Sequence, residues 1–146
     1  MTVTLCVLFY NAESYIPRLM NSLRSQTASM SHLVGLYTLS NDKTLAMIES
    51  DFDCVLEINP KDFDHGGTRQ IAVNECQTDI VVFLTQDVIL KPNALEESLT
   101  LLMILPLGVR MVDSYRTMMQ QRLLNICVIL ITLSIRKLNL WMMYKI

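Results

Sequence analysis

The chain has 146 residues, enough for one domain and too few for two, and its 51% apolar and 18% charged content excludes wholesale disorder. A formal net charge of -2 carries none of the general signature of a nucleic-acid-binding surface. The averages conceal a break: residues 1–100 hold six Lys/Arg and thirteen Asp/Glu, whereas 101–146 hold six Lys/Arg, one Asp and six of the ten methionines. Two segments so different in composition read as separate units.

Val3 to Phe9 is β-branched and apolar and stops at Tyr10-Asn11-Ala12-Glu13, which predicts a buried strand followed by a loop. No basic segment precedes this run and polar residues follow it at once, so no signal peptide is expected. Ser14 is placed to cap a helix with Pro17 in its first turn, and Ile16, Leu19, Met20 and Leu23 fall at helical spacing. Leu33 to Leu39 predicts a second strand, followed by the turn Ser40-Asn41-Asp42-Lys43-Thr44 and a helix through Leu45, Met47 and Ile48. Cys54 to Ile58 reads as a short third strand that leads through Asn59-Pro60 into a polar loop, Asp62 to Arg69, with sequence DFDHGGTR. A short helical pattern follows, and then an apolar run from Ile80 to Leu84 that stops at Thr85-Gln86-Asp87. Five apolar residues between polar ones suit a strand covered on both faces, as in a parallel sheet, and such strands present ligand-binding groups at their carboxyl ends. Asn93 to Leu99 opens another helix, with Glu96 and Glu97 early in it. The predicted class is therefore α/β with a mostly parallel sheet flanked by helices. Cys6, Cys54, Cys76 and Cys127 lie far apart without CxxC spacing and read as reduced, mostly buried thiols of a cytoplasmic protein.

The stretch from Asp62 to Pro92 carries the chemistry. Gly66-Gly67 lets backbone approach a ligand, and Arg69 at the start of the next helix is placed to meet a diphosphate; as an isolated pattern the same residues are a surface turn with a solvated Arg. His65 reads as a hydrogen-bonding structural residue. Asp87 ends the fourth strand, either as a metal ligand or as a cap for the segment that starts near Pro92.

The DFDHGGTR loop followed by a strand ending in LTQD resembles the inverting nucleotide-sugar glycosyltransferases of family 2, which have the GT-A fold, and most closely their bacterial rhamnosyltransferase branch. The resemblance covers residues 1–100. It implies a nucleotide-sugar donor, dTDP-rhamnose in that branch, and a glycan or lipid-linked acceptor in O-antigen or polysaccharide assembly. No nucleic-acid partner is implied, and the location is the cytoplasm, with at most peripheral contact with the inner face of the membrane. It implies Mg2+ or Mn2+ at Asp87, the last acidic position of the family's DxD-type motif, with Thr85 standing where the first acid would be. Nucleotide-sugar binding then falls to Tyr10, Asn11, Asp42, Gly66, Gly67, Arg69 and Gln86. One departure stands out: the family's second strand normally ends in an Asp that contacts the base, and Tyr37, Thr38 and Leu39 offer no carboxylate. Asp42 reads on its own as a turn or helix-capping residue.

The tail is a separate problem. Its apolar segment, Leu123 to Leu133, is shorter than the ~20 residues needed to span a bilayer. Isolated helix, peripheral anchor and structureless extension all remain open. The genetic code offers a fourth explanation. In the frame one base earlier, Met111-Val112 forces a Gly, Met118-Met119-Gln120 forces Asp-Ala, and permitted codons from Arg110 yield YGRQLPHHDAT. This string, and its continuation containing FNYP, resembles the same rhamnosyltransferases beyond their metal motif. The expectation is a frameshift near residues 98–102 that leaves 101–146 out of frame, so that the acceptor region and the general base are missing and the chain is inactive. Two rivals are a complete small α/β nucleotide-binding or membrane-associated module, and a short interaction protein that binds no nucleotide.

Overall fold

A computed structural model describes residues 2–104, 131–135 and 140–144. Four strands, β1 (Val3–Phe9), β2 (His32–Thr38), β3 (Cys54–Ile58) and β4 (Ile80–Thr85), form one sheet in the order β3-β2-β1-β4, every pair parallel. The helices between them are α1 (Ile16–Arg24), α2 (Thr44–Ile48) and α3 (His65–Glu75), and α4 (Ala94–Ile104) follows β4. A second, antiparallel sheet pairs β5 (Ile131–Ile135) with β6 (Leu140–Tyr144). The tail's expected apolar segment therefore lies outside the described residues up to 130, and its last residues open a strand. Among the described residues no helix is long and apolar enough to cross a membrane.

The alternation of side chains along β1 divides the interior into two layers. Val3, Leu5, Val7 and Phe9 share one face with Val82 and Leu84 of β4, and there they meet Ile16, Leu19 and Leu23 of α1, Ile48 of α2 and Leu95 of α4. Cys6 turns the other way, toward Val34, Leu36, Val81, Phe83 and the α3 residues Ala72 and Cys76. β1 and β4 are thus covered on both faces, which is why their sequences are apolar at nearly every position instead of alternating. Burying a residue such as Phe9 or Leu19 completely contributes about 1.5–3 kcal/mol each.

Up to residue 104 the element types match the expectations, with differences at the ends that have local causes, whereas the β5/β6 strand pair was not expected. α1 starts at Ile16 after Tyr15, and Ser14 does not cap it; the carbonyl of Ala12 instead accepts from the N–H groups of Tyr15 and Ile16. The DFDHGGTR stretch is a loop only as far as Asp64. Asp64 is the N-cap of α3, its carboxylate accepting from the N–H of Gly67, so Gly66, Gly67, Thr68 and Arg69 are helical. An Asx cap next to two glycines closes the first turn earlier than the glycines alone suggest. Cys6 and Cys76 are buried thiols with their Sγ atoms 4.0 Å apart, in line with the expectation of mostly buried thiols, whereas Cys54 is exposed because it opens the edge strand β3. Cys127 lies outside the described residues.

Candidate functional site

The chain builds its sheet outward from β1 to β2 to β3 and then returns to the other side of β1 to lay down β4. At that reversal β1 and β4 stand side by side as parallel neighbours, and a crevice opens at their carboxyl ends. A cleft of about 610 Å³ lies there, walled by Tyr10, Tyr15, Thr38, Pro60, Phe63, His65, Arg69, Thr85, Gln86 and Asp87, with Leu8 and Phe9 at its base. Every strand of the parallel sheet ends at this cleft or leads directly into it.

Tyr10, Arg69, Gln86 and Asp87 are the predicted site residues that the fold brings together; Asn11, Asp42, Gly66 and Gly67 are not among the lining residues. Asp87 is exposed in a turn closed by the N–H of Val88 on the carbonyl of Thr85, and it is the one carboxylate among the described lining residues. No group of three or more His, Cys, Asp or Glu side chains suited to a metal occurs among the described residues. Arg69 stands one turn into α3. Its Nη1 donates to the carbonyl of His65 at 2.6 Å, its guanidinium carbon lies 5.9 Å from the centre of the Phe83 ring, and its Nε is buried without a hydrogen-bond partner. Burial pushes its pKa below the usual arginine value, yet a guanidinium remains charged, so the cleft wall holds a cation whose donors are incompletely used.

Gln86 follows β4 directly. Its Oε1 accepts from the N–H of Tyr10 at 2.8 Å and its Nε2 donates to the carbonyl of Tyr10 at 3.0 Å, so the carboxamide is engaged at both ends by the residue that follows β1. The Tyr10 loop is also held from the β2 side. The buried Thr44 Oγ1 accepts from the N–H of Ala12 at 2.7 Å, and the Asp42 carboxylate accepts from the N–H of Glu13 at 3.1 Å. Between these anchors Asn11 adopts φ 48, the left-handed region that Asn tolerates better than most residues.

Asp42 is therefore a brace, consistent with its reading as a turn residue and away from the cleft where the resemblance would use it. Besides the Glu13 N–H it accepts from Ser40 Oγ at 2.7 Å, Thr44 Oγ1 at 2.8 Å and Thr44 N–H at 3.2 Å. Desolvation works to raise its pKa, but these hydrogen bonds outweigh it and hold the carboxyl down at about 2. Gly67 has a structural reason to be glycine: a Cβ there would meet the Asp64 carboxylate at 3.0 Å, against 3.5 Å at Gly66.

Sequence reasoning named Tyr10 but missed the other two members of an aromatic rim. Tyr10 (53% exposed), Tyr15 (44%) and Phe63 (36%) are large apolar rings left in solvent at the cleft mouth, with Phe63 edge-on to His65 at 5.0 Å. Flat faces at a crevice suit stacking against a planar ring. The only available signal was that each of these residues lies shortly after a strand end. Thr38 closes β2 and lines the cleft where the carboxylate typical of the second strand is absent.

Comparison with known proteins agrees with this geometry. The chain is 38% identical over 93 residues to the O-antigen chain rhamnosyltransferase RfbN of Salmonella typhimurium, a match covering 62% of this chain and 29% of that protein. It is 39% identical over 83 residues to the O-antigen chain rhamnosyltransferase WbaN of Salmonella anatum, covering 56% and 26%. The chain thus spans less than a third of the length of these curated relatives. Among solved structures, residues 1–349 of S. aureus TarS superpose with a TM-score of 0.59 at 24% identity, over 68% of this chain and 32% of that one. The same protein in complex with UDP-GlcNAc gives 0.58. The likeness establishes a shared GT-A-type fold. The family described as Glycosyl transferase family 2 matches residues 4–121, well over half of the sequence, and the chain belongs to that family.

Proposed function

We propose that residues 1–100 are the nucleotide-sugar-binding half of an inverting rhamnosyltransferase that uses a dTDP-rhamnose donor for O-antigen or polysaccharide assembly. The single observation that carries this reading is the cleft at the β1/β4 reversal, where an aromatic rim, an arginine with an unpartnered Nε and one carboxylate face the same volume. In this reading Tyr10 meets the base, Arg69 meets the diphosphate through charge-assisted hydrogen bonds, and Asp87 supplies the protein's oxygen ligand to Mg2+ or Mn2+. A lone carboxylate fits such an ion, which takes one or two protein carboxylates and completes its shell with phosphate oxygens and water. When bound, the ion neutralises the charge that develops on a leaving nucleoside diphosphate. Gly66 and Gly67 contribute by shaping the first turn of α3, which sets the position of Arg69.

Inverting transfer also needs a base to deprotonate the acceptor hydroxyl. Asp87, once committed to a metal, leaves no second carboxylate among the described lining residues, which supports the reading of the chain as a donor-binding but inactive fragment. In that proposal residues 101–146 are out-of-frame sequence and the base is encoded in the shifted frame. The charge break at residue 100 supports it, and the family match that extends to residue 121 is the observation against it. Location in the cytoplasm, peripheral to the membrane where lipid-linked acceptors are assembled, follows from the same analogy.

The test is titration of the full chain with dTDP, with and without Mg2+, by calorimetry. Magnesium-dependent binding is expected, with Asp87→Ala abolishing the magnesium dependence and Arg69→Ala weakening binding in both conditions. Absence of nucleotide binding, or binding indifferent to both substitutions, overturns the reading. Sequencing the locus past codon 95 decides the tail: the shifted frame continues open into family-like sequence if the proposal is right and closes at once if it is wrong.

A further inference from the structure

We infer that Gln86 is a positioning residue for Tyr10: its side-chain carboxamide stands in for a strand's peptide group and extends the β1/β4 ladder past its last backbone pair, fixing the base-facing side of the cleft. This inference rests on the proposed nucleotide-binding role of the cleft.

The backbone pairing of β1 with β4 ends at Leu8 and Thr85. Beyond Thr85 the chain turns sharply, with the N–H of Val88 on the carbonyl of Thr85, and this turn carries Asp87 into the cleft. A backbone that turns here cannot also pair with Tyr10. The N–H and C=O of Tyr10 would be left without the partners that a continuing strand supplies. A carboxamide has the same donor and acceptor as a peptide unit, and Gln86 presents both to the same residue at 2.8 and 3.0 Å. Because one contact requires an acceptor and the other a donor, the orientation of the amide is fixed by its partners. Glu cannot reproduce this pair, since it has no donor for the Tyr10 carbonyl, and Asn is one methylene too short to span the same gap.

The consequence is a division of labour in two adjacent residues. Asp87 faces the diphosphate side, whereas Gln86 acts on the base side through the backbone of Tyr10. Tyr10 is otherwise exposed, so its loop geometry depends on anchors that reach its backbone: Gln86 from β4, and the Asp42–Thr44 brace acting two and three residues further on from β2.

The test compares wild type, Gln86→Leu and Gln86→Glu as full chains in two measurements. In hydrogen exchange, the Tyr10 amide of Gln86→Leu should exchange about tenfold faster or more, while the ladder amides of β1 and β4 keep their protection. In calorimetry with Mg2+, affinity for dTDP should fall about tenfold while affinity for inorganic pyrophosphate stays within about twofold, because only the base side has lost its preset geometry. Gln86→Glu, which retains the acceptor, should lose less Tyr10 protection than Gln86→Leu. Unchanged Tyr10 protection in Gln86→Leu, unchanged dTDP affinity, or an equal loss for dTDP and pyrophosphate each overturns the inference. A wild-type chain that binds neither ligand overturns instead the nucleotide reading on which it rests, and the two failures are distinguished by the wild-type titration.

Discussion

Thr44→Val tests whether the Tyr10 loop is held from the β2 side as the hydrogen bonds indicate. The substitution replaces the hydroxyl with a methyl group of similar size, so no cavity forms and the effect comes mainly from the lost polar contacts. Thr44 is fully buried, and its Oγ1 accepts from the N–H of Ala12 at 2.7 Å and donates to the Asp42 carboxylate at 2.8 Å. Ala12 is itself fully buried, so its N–H loses its partner with no water to replace it. An orphaned buried donor costs about 1–3 kcal/mol, and the lost hydrogen bond to a charged acceptor adds roughly 1 kcal/mol after allowance for partial solvation of Asp42. The expected destabilisation is about 3 kcal/mol, a large part of the 5–15 kcal/mol typical of a domain. Thr44→Ser, which keeps the hydroxyl and loses a methyl, should cost only about 1 kcal/mol. Urea unfolding followed by far-UV circular dichroism measures both. A Thr44→Val chain within about 1 kcal/mol of wild type, or Thr44→Ser as destabilised as Thr44→Val, would refute the brace.

The same brace predicts a pH dependence. The folded-state pKa of Asp42 is about 2, below its ordinary 3.8, so its contribution is fully present above the unfolded value and lost as pH falls from about 4 through 2; Asp42→Asn should flatten the acid limb of a stability curve in that window. At the start of α3, Gly66→Ala should stabilise by about 0.5–1 kcal/mol, because the added Cβ makes ordinary contact at 3.5 Å and the unfolded chain loses freedom. Gly67→Ala should gain less or destabilise, since its Cβ crowds the capping carboxylate at 3.0 Å; thermal melts of the two variants should separate them in that order. Asn11→Val should cost about 1–2 kcal/mol at its left-handed φ of 48, whereas Asn11→Gly should be near neutral, as denaturant midpoints would reveal. Phe83→Ala removes a fully buried ring from the layer beneath α3 and should cost about 3–5 kcal/mol, and because that ring also lies under Arg69 it should weaken dTDP binding in any variant that still folds.

Strand and helix order was legible because each apolar run ends at a polar cluster, and β1, β3 and β4 fall within one residue of their expected limits. The cleft was legible in part. Once β1 and β4 are read as parallel neighbours, residues immediately after their ends must share a crevice, and that places Tyr10, Gln86 and Asp87 together without further information. Asn11 was singled out as a ligand contact, and the structure adds a backbone reason for Asn there, a left-handed φ that sequence spacing does not reveal. Gly66-Gly67 likewise has a local reason that the sequence did not show. A glycine pair signals backbone freedom, yet neither has a positive φ, and what Gly67 supplies is room for the Asp64 carboxylate. The two-sided contact of Gln86 with Tyr10 spans 76 residues and depends on the turn after β4, so no local pattern announces it.

The braces and the arginine follow from one constraint. A parallel sheet that opens a crevice at its reversal point must let strands diverge, and the backbone just beyond the last paired residue then needs other partners. Here the N–H groups of Tyr10, Ala12 and Glu13 are met by Gln86, Thr44 and Asp42, side chains drawn from the ends of the two strands that flank β1. Polar groups at the rim are thus satisfied from within the protein. Among the described residues, the buried side-chain nitrogen or oxygen atoms without a partner are Thr68 Oγ1 and Arg69 Nε, neighbours in α3 of which Arg69 lines the cleft. The fold thus supplies partners for its loop yet gives the cleft-lining Arg69 guanidinium no carboxylate among the described residues. Under the proposed function, an anionic oxygen at the cleft would pair with a guanidinium that no internal carboxylate competes for, which is the physical reason to expect the diphosphate, and not the sugar, to anchor the ligand.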